Sequence, residues 1–259
     1  MTTTFLVMYI FTKNVAGDSA DVTNLVPPGV GVHEYQFKPS DVKKISDADV
    51  VVKSGLGAEM WLDNLLNNAA NRDVTIIDTS QGIHALKTSG TVDVHIWLDP
   101  VRAVKQVENI RDGLIKKDPK NKDAYKRNAA AYIKRIKALD AEIEHTVSGF
   151  SRKDFVSFHS AFIYLSDRYG LDQIAVIEPS PGKEPNPRSL AEISNIIKEK
   201  KIKAIFREPQ FSSKVVDSLA RDLGIKVLVL DPIETGELKE DYWEKTMRKN
   251  LGHLKEALE

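Results

Sequence analysis

The stretch PKNKDAYKRNAAAYIKRIKALDAEIEHTVS, residues Pro119–Ser148, decides how this chain is organised. Its apolar and aromatic side chains recur at intervals of three and four residues, as on one buried face of an α-helix. These positions are Tyr125, Ala129, Tyr132, Ile133, Ile136, Leu139, Ile143 and Val147. At 1.5 Å per residue such a helix extends about 45 Å, which exceeds the width of a small domain. The pattern alone allows either a long surface helix of one domain or a rigid connection between two lobes.

The flanking segments favour the second interpretation. Short apolar runs alternate with helical patterns on both sides of the long helix, and these runs are continuous rather than alternating with polar residues. Parallel strands covered by helices on both faces have this pattern. We therefore predict an α/β protein with two lobes of parallel sheet flanked by helices. The predicted order along the chain is an N-terminal lobe (1–118), the long linking helix (119–148) and a C-terminal lobe (149–259). The run Phe5–Phe11 is interpreted as a first strand that leads into a short helix.

Composition excludes several classes of function. The 259 residues include 37 Lys plus Arg and 37 Asp plus Glu, without a long run of one sign, so nucleic acid is not an expected partner. No apolar run approaches the roughly 20 residues of a membrane span. The chain has no cysteine, which excludes disulfides, thiolate catalysis and cysteine-based metal sites. Motifs of zinc proteases, P-loop proteins, serine hydrolases and dinucleotide-binding proteins are also absent from the sequence.

Histidines and acids at predicted strand ends are the candidates for chemistry, because ligands of open α/β sheets gather beyond the carboxyl ends of the strands. His159 follows the strand Phe155–Phe158, His95 begins a rigid apolar segment that enters a helix, and His33 lies in a loop before a helix start. The remaining histidines, His84, His145 and His253, are interpreted as surface residues.

The acidic candidates are Asp231, Glu208 and Glu178, each at a strand end and before a proline or a proline-rich loop. Each histidine and each acid alone is also compatible with a capping or hydrogen-bonding role. Three imidazoles and one carboxylate would suit four-coordinate Zn²⁺, whereas a second carboxylate in place of one imidazole would favour Mn²⁺. The residue types alone leave the choice of carboxylate open.

Several motifs together resemble the metal-receptor solute-binding proteins of ATP-binding cassette importers. They are Leu25–Gly29 (LVPPG), His33 with Pro39–Asp41 (PSD), His95–Pro100 (HIWLDP), His159–Phe162 (HSAF), Glu208–Phe211 (EPQF) and Leu230–Pro232 (LDP). The resemblance covers nearly the whole chain, and the HIWLDP segment is its most specific part.

The resemblance implies a receptor that holds a transition metal between two lobes outside the cytoplasm and delivers it to a membrane permease. The implied metal ligands are His33, His95, His159 and Asp231, with Glu208 orienting one of them through a hydrogen bond. A histidine at the third position resembles the zinc receptors and a glutamate there the manganese receptors. His159 therefore favours Zn²⁺, with Mn²⁺ as the alternative.

The same resemblance sets further expectations. Many zinc receptors carry a long His-rich loop before the second ligand, but Gln81–Asp93 is short and holds only His84. No secretory signal or lipidated cysteine is present, so a periplasmic and a lipid-anchored location both stay open. We expect a monomer whose lobes move little on metal binding, because a continuous helix without internal Gly or Pro is a poor hinge. A three-histidine zinc hydrolase and a receptor for an organic solute are the alternatives from other classes.

Overall fold

The computed structural model describes residues 1–69, 71, 73–88, 90–178, 185–212 and 214–259. The first half of the chain builds a four-stranded parallel sheet with the spatial order β2-β1-β3-β4. Its strands are β1 (Thr2–Thr3), β2 (Thr23–Asn24), β3 (Val50–Lys53) and β4 (Thr75–Asp78). Its helices are α1 (Leu6–Ala16), α2 (Pro39–Ser46), α3 (Leu62–Asn68) and α4 (Pro100–Lys117). Between β4 and α4, the short strands β5 (Lys87–Thr88) and β6 (Thr91–Val92) pair in antiparallel fashion, and Ile96–Leu98 forms a 3₁₀ turn.

The second half repeats the alternation of strand and helix. Its strands are β7 (Asp154–Ser157), β8 (Asp172–Val176), β9 (Ala204–Arg207) and β10 (Lys226–Val229). Its helices are α6 (Ile163–Tyr169), α7 (Pro187–Glu199), α8 (Lys214–Leu223) and α9 (Tyr242–Leu258). β7 pairs with β8 and β9 with β10, both in parallel, and β7 lies against β9. The predicted α/β class with parallel sheets flanked by helices is thereby confirmed.

The long helix α5 runs from Lys122 to Ser148, after a 3₁₀ turn at Pro119–Asn121. Its predicted apolar face is buried at every position except Ile133, which is partly buried. α5 packs against α1 and α4 of the first half and against α6 and α9 of the second half. The helix therefore packs against both halves of the chain along its length.

The interpretation of Phe5–Phe11 as a strand is wrong. The first strand is only Thr2–Thr3, and Leu6–Ala16 forms the helix α1. A continuous apolar run does not distinguish a buried strand from a buried helix. The helix is buried on nearly all sides, because it packs against the sheet as well as against α4, α5 and α9.

Two hydrophobic clusters among the described residues stabilise the fold. The larger contains side chains from both halves, including Phe5, Tyr132 and Trp243. The smaller lies within the second half and includes Val156, Ile197 and Ile205. Because the larger cluster includes α5 and α9 as well as α1, the two halves share one core around the long helix. No helix within the described ranges combines the length and the apolar character needed to span a bilayer.

Candidate metal centre

Three histidines predicted as ligands lie together between the two halves of the molecule. His33 is in the loop between β2 and α2, His95 immediately precedes the 3₁₀ turn, and His159 follows β7. A fourth residue, Glu234, comes from the loop between β10 and α9. Each residue lies beyond the carboxyl end of a strand or in a loop that continues from it, as expected for ligand sites of open α/β sheets.

The donor atoms of these four residues converge on one point. Nε2 of His95 lies 3.2 Å from Nε2 of His33 and 3.3 Å from Nε2 of His159. Oε1 of Glu234 lies 3.3 Å from Nε2 of His95, 3.4 Å from that of His33 and 3.8 Å from that of His159. All four donor atoms lie within 4.8 Å of one another.

Four of these five separations, 3.2–3.4 Å, match the edges of a coordination tetrahedron, and the fifth, from Glu234 to His159, is longer. Zinc bound to nitrogen and carboxylate oxygen at about 2.0–2.1 Å has ligand atoms about 3.3–3.4 Å apart along each edge of the tetrahedron. Oε1 of Glu234 is buried and has no hydrogen-bond partner within the described part of the chain. A buried carboxylate oxygen that lacks a hydrogen bond and faces three imidazole nitrogens is a suitable ligand for a cation.

Two carboxylates orient the inner histidines. Nδ1 of His95 donates to Oδ1 of Asp93 at 2.9 Å, and Nδ1 of His159 donates to both carboxylate oxygens of Glu208 at 2.6 and 2.7 Å. The same acids accept the backbone N–H groups of their histidines at 3.0 Å. A carboxylate only accepts, so each Nδ1 carries a proton, and Nε2 is the ring nitrogen that faces the centre and can bind a metal once it is deprotonated. Glu208 thus lies beside a candidate ligand, as predicted, whereas Asp93 was not identified from the sequence.

The centre is open on the side of His33. The side chain of His33 is 22% exposed, compared with 7% for His95 and 2% for His159. On this side a Cβ atom at Gly31 would lie 3.3 Å from Oε2 of Glu234. The glycine therefore allows the backbone to approach the carboxylate closely.

Asp231, the predicted fourth ligand, is not part of the group of converging donors. Its Oδ1 accepts the N–H of Ile233 at 2.7 Å, and its backbone is held by the side chain of Asn250. Ile233 has a positive φ of 62°, so the chain turns sharply and presents Glu234 instead. Burial raises the pKa of Asp231 to about 6; the hydrogen bond from Ile233 opposes this rise and the charge of Glu208 adds to it. Asp231 therefore shapes the turn that carries Glu234.

The sequence contained one indication of Glu234 that strand-end reasoning overlooked. Glu234 lies three residues beyond Asp231 in the segment Asp231–Gly236 (DPIETG). The segment continues the chain past β10, and a tight turn brings a residue within it to the same edge of the sheet. Glu178, the other acid considered, is buried but also lies outside the group.

The charges of the centre depend on one another. Burial alone would lower the pKa of His95, but its hydrogen bond to Asp93 and its ion pair with Glu234 outweigh burial and raise the pKa to about 10. Burial would raise the pKa of Glu234, but its interactions with His33 and His95 hold that pKa well below the usual range. Without a metal, the positive charge of the protonated His95 side chain therefore balances the negative charge of the buried Glu234 carboxylate.

Hydrogen bonds across the centre join the two halves of the chain. The indole Nε1 of Trp97 donates to the carbonyl of Pro232 at 2.8 Å, and Nε1 of Trp243 donates to the carbonyl of Trp97 at 3.0 Å. Tyr164 donates to the carbonyl of Asp93 at 2.8 Å. These bonds connect the segments carrying His95 and Glu234 to the opposite half.

The remaining histidines lie away from the centre. His84 and His145 are exposed, and residue 89 of the loop that contains His84 lies outside the described residues. His253 is partly buried, and its Nδ1 donates to the carbonyl of Val229 at 2.7 Å. None of the three belongs to the group of donors.

Comparison with known proteins identifies the family. Residues 1–257 match the family described as ZnuA, zinc-uptake complex component A, periplasmic. The chain belongs to the ZnuA family. It is 34% identical over 276 residues to the high-affinity zinc uptake system protein ZnuA of Bacillus subtilis, covering 99% of this chain and 86% of that protein. It is 37% identical over 275 residues to the zinc-binding lipoprotein AdcA of Streptococcus pneumoniae, covering 98% of this chain but only 55% of AdcA.

Solved structures in the ZnuA family have the same fold. The Zn(II)-bound ZnuA-like domain of Streptococcus pneumoniae AdcA superimposes with a TM-score of 0.87 at 38% identity, covering 99% of this chain and 97% of that domain. The solute-binding protein FpvC of Pseudomonas aeruginosa, solved in complex with Mn²⁺, superimposes with a TM-score of 0.90 at 31% identity, covering 99% and 97%. Relatives with this fold thus include one that binds zinc and one that binds manganese.

Proposed function

We propose that this protein is an extracytoplasmic receptor that captures Zn²⁺ and delivers it to an ATP-binding cassette permease. His33, His95, His159 and Glu234 would hold the ion, replacing Asp231 of the sequence-based set with Glu234. The observation that carries the proposal is the convergence of one carboxylate oxygen and three imidazole nitrogens, whose donor atoms all lie within 4.8 Å of one another. Membership of a zinc-uptake family supports it independently.

Zinc is preferred to manganese because of the donor set and its spacing. Three neutral imidazoles and one carboxylate suit Zn²⁺ in four-coordinate geometry, whereas Mn²⁺ favours more oxygen ligands and a larger coordination number. The manganese complex of FpvC makes Mn²⁺ the appropriate competitor in any test. Competitive calorimetry should give a lower dissociation constant for Zn²⁺ than for Mn²⁺, and the reverse order would make this protein a manganese receptor.

The division of the chain also becomes part of the proposal. The lobe 1–118 would supply His33 and His95, and the lobe 149–259 would supply His159 and Glu234, with 119–148 as the rigid link. We expect a monomer, since each chain supplies all four ligands itself. Light scattering after size-exclusion chromatography should give the mass of one chain, with or without zinc.

Metal content and calorimetry test the proposed centre directly. The purified protein should retain or bind one equivalent of zinc, and His159→Ala should lose most of the affinity because it removes a buried ligand. The matched control is His145→Ala, which changes an exposed histidine on α5. A His159→Ala variant that binds zinc as tightly as the parent protein would reject the assignment.

Delivery and location need the native gene. The family description names a periplasmic component, and AdcA is described as a lipoprotein. Zinc-limited cells lacking the gene should accumulate less zinc, and the wild-type gene, but not the His159→Ala variant, should restore uptake. Cell fractionation then distinguishes a periplasmic from a lipid-anchored receptor.

A zinc hydrolase is the alternative from another class. It would need an open position at the metal for an activated water. Glu234 as a fourth protein ligand would close the tetrahedron, which favours a receptor. Turnover of ester or phosphoester substrates that is lost on chelation and restored by zinc would reverse this preference.

A further inference from the structure

A cavity of about 240 Å³ opens beside the proposed metal centre, and we call it the vestibule. Its lining residues are Gly29, Val30, Gly31, His33, Glu34, Gln210, Phe211 and Glu234. Two of them, His33 and Glu234, belong to the centre itself. Since His33 is the most exposed of the three histidines, the vestibule lies on the exposed side of the centre.

The vestibule is larger than a bare ion requires. A cavity of this size can hold several water molecules. A divalent ion in solution carries a tightly held shell of water, which it must exchange for protein ligands before it is bound. The size of the vestibule therefore suits an ion that still carries water.

Gln210 contributes an unpaired acceptor to this part of the molecule. Its Nε2 donates to Oε2 of Glu208 at 3.0 Å. Because a carboxylate accepts hydrogen bonds but does not donate them, the amide must turn its nitrogen to Glu208 and its oxygen away. Oε1 of Gln210 is buried and has no partner among the residues that the structure describes. Because Gln210 lines the vestibule, a turn of its side chain would allow this oxygen to accept a hydrogen bond from a metal-bound water.

Glu34 supplies negative charge at the outer side. Its carboxylate is exposed and lines the vestibule directly after His33 in the sequence. The described residues of the lining include no lysine or arginine, so none of them offsets this charge. The chain as a whole has a formal net charge of zero, and attraction of a cation must therefore come from such local charges.

We infer that the vestibule binds the hydrated divalent cation before it reaches the metal centre. Glu34 attracts the ion, and Oε1 of Gln210 accepts a hydrogen bond from one of its waters. The ion then exchanges a water for His33, which is the accessible ligand, and the remaining waters for the buried ligands. This inference rests on the proposed function, because it describes how the same centre is loaded.

Stopped-flow measurement of zinc binding tests the role of Glu34. Trp97 has its ring centroid 5.2 Å from that of His95, so its fluorescence can report the binding step. Glu34→Gln should lower the association rate constant about 3- to 10-fold at low salt and flatten its dependence on ionic strength, with the dissociation rate unchanged. An association rate equal to that of the parent protein would overturn the role of Glu34.

The matched charge control is Asp123→Asn. Asp123 is exposed at the start of α5, beyond the far end of α4, which extends about 26 Å from Pro100. Its substitution changes the net charge by the same amount as Glu34→Gln but should leave the association rate unchanged. If Asp123→Asn slows association as much as Glu34→Gln does, overall charge rather than the vestibule attracts the ion.

Gln210→Ala separates loading of the ion from support of the centre. Loss of the water acceptor should slow association about 2- to 5-fold. If Gln210 only supports Glu208, the dissociation rate rises and the association rate stays constant, which overturns its role in the vestibule. Gln36→Ala is the control, because Gln36 is exposed on the segment of Glu34 without lining the cavity. A parent protein that fails to bind zinc rejects the proposed function itself, whereas a parent that binds while both variants associate normally rejects only the vestibule.

Discussion

The two sides of the metal centre differ in how their histidines are held. His95 and His159 are buried, and each donates its Nδ1 hydrogen to a carboxylate. His33 is partly exposed and borders the vestibule. Buried, doubly hydrogen-bonded ligands are fixed in tautomer and direction, which favours tight retention of a metal. A partly exposed ligand at the opening favours access of the ion. The buried side of the centre therefore favours retention of the metal, and the side of His33 favours its capture.

Substitution of single histidines should reduce zinc affinity more than the other changes proposed here. If four ligands share the roughly 10–16 kcal/mol of a structural zinc site, each contributes on the order of 3 kcal/mol, or about 100-fold in affinity. We expect more than this loss for His95→Ala and His159→Ala, since each also leaves a buried carboxylate without its partner. His33→Ala should lose less, because water from the vestibule can replace the imidazole.

Competition with a chromophoric zinc chelator measures all three affinities. His145→Ala serves as the control on the exposed face of α5. A loss for His33→Ala that equals or exceeds that of the buried histidines would show that the two sides do not differ in the proposed way.

Substitution of the orienting acids should have the next largest effect. Asp93→Ala and Glu208→Ala leave Nδ1 of His95 or His159 without its acceptor, and we expect a 10- to 100-fold loss of zinc affinity. Glu208→Gln should lose less, because the amide oxygen still accepts a hydrogen bond. Glu142→Ala, which removes an exposed acid paired with Arg248, should leave the zinc affinity unchanged. Parent-like affinity in both alanine variants would contradict the proposed fixation of the inner ligands.

The number of protons released when zinc binds should report the protonation state of His95. An ordinary histidine with a pKa near 6.5 carries almost no proton at pH 8, but the pKa of His95 is raised to about 10. Zinc must therefore displace a proton from His95 even at pH 8, and affinity should rise with pH until about pH 10. Calorimetry in buffers of different ionisation enthalpy should report about one proton released at pH 8.

Asp93→Asn is the informative variant for this measurement. It removes the charge that helps to raise the pKa of His95, so proton release at pH 8 should decrease. Asp123→Asn should release as many protons as the parent protein. A binding enthalpy that is independent of the buffer at pH 8 would show that His95 is already deprotonated there.

Movement of the lobes should be the smallest effect. The bonds from Trp97 to Pro232 and from Trp243 to Trp97 connect the halves beside the centre, and α5 runs without internal glycine or proline. The radius of gyration from small-angle scattering should change by less than about 1 Å when zinc binds. Trp97→Phe, which removes one bond, should enlarge the change. A wide closure of the parent protein around α5 would contradict this prediction.

Several features followed from local pattern. The face of α5 could be predicted because the spacing of Tyr125, Ala129 and Tyr132 is a direct consequence of 3.6 residues per turn. The parallel sheets could be predicted because continuous apolar runs are required when both faces of a strand are covered. Phe5–Phe11 was misassigned for the same reason, since a helix buried on all sides produces an identical run.

The candidate centre was likewise only partly predictable from the sequence. His33, His95 and His159 could be named as candidates from the sequence, because each lies at a strand end or before a helix, where ligands of such sheets gather. The proximity of Glu234 rather than Asp231 to these histidines, and the hydrogen bond from His95 to Asp93, became visible in the folded chain. A one-residue change in a turn redirects a side chain by several ångströms, and sequence spacing does not report the backbone angles of that turn. The residue types suited to metal binding can therefore be predicted from the sequence, whereas the convergence of their side chains on one point depends on the folded chain.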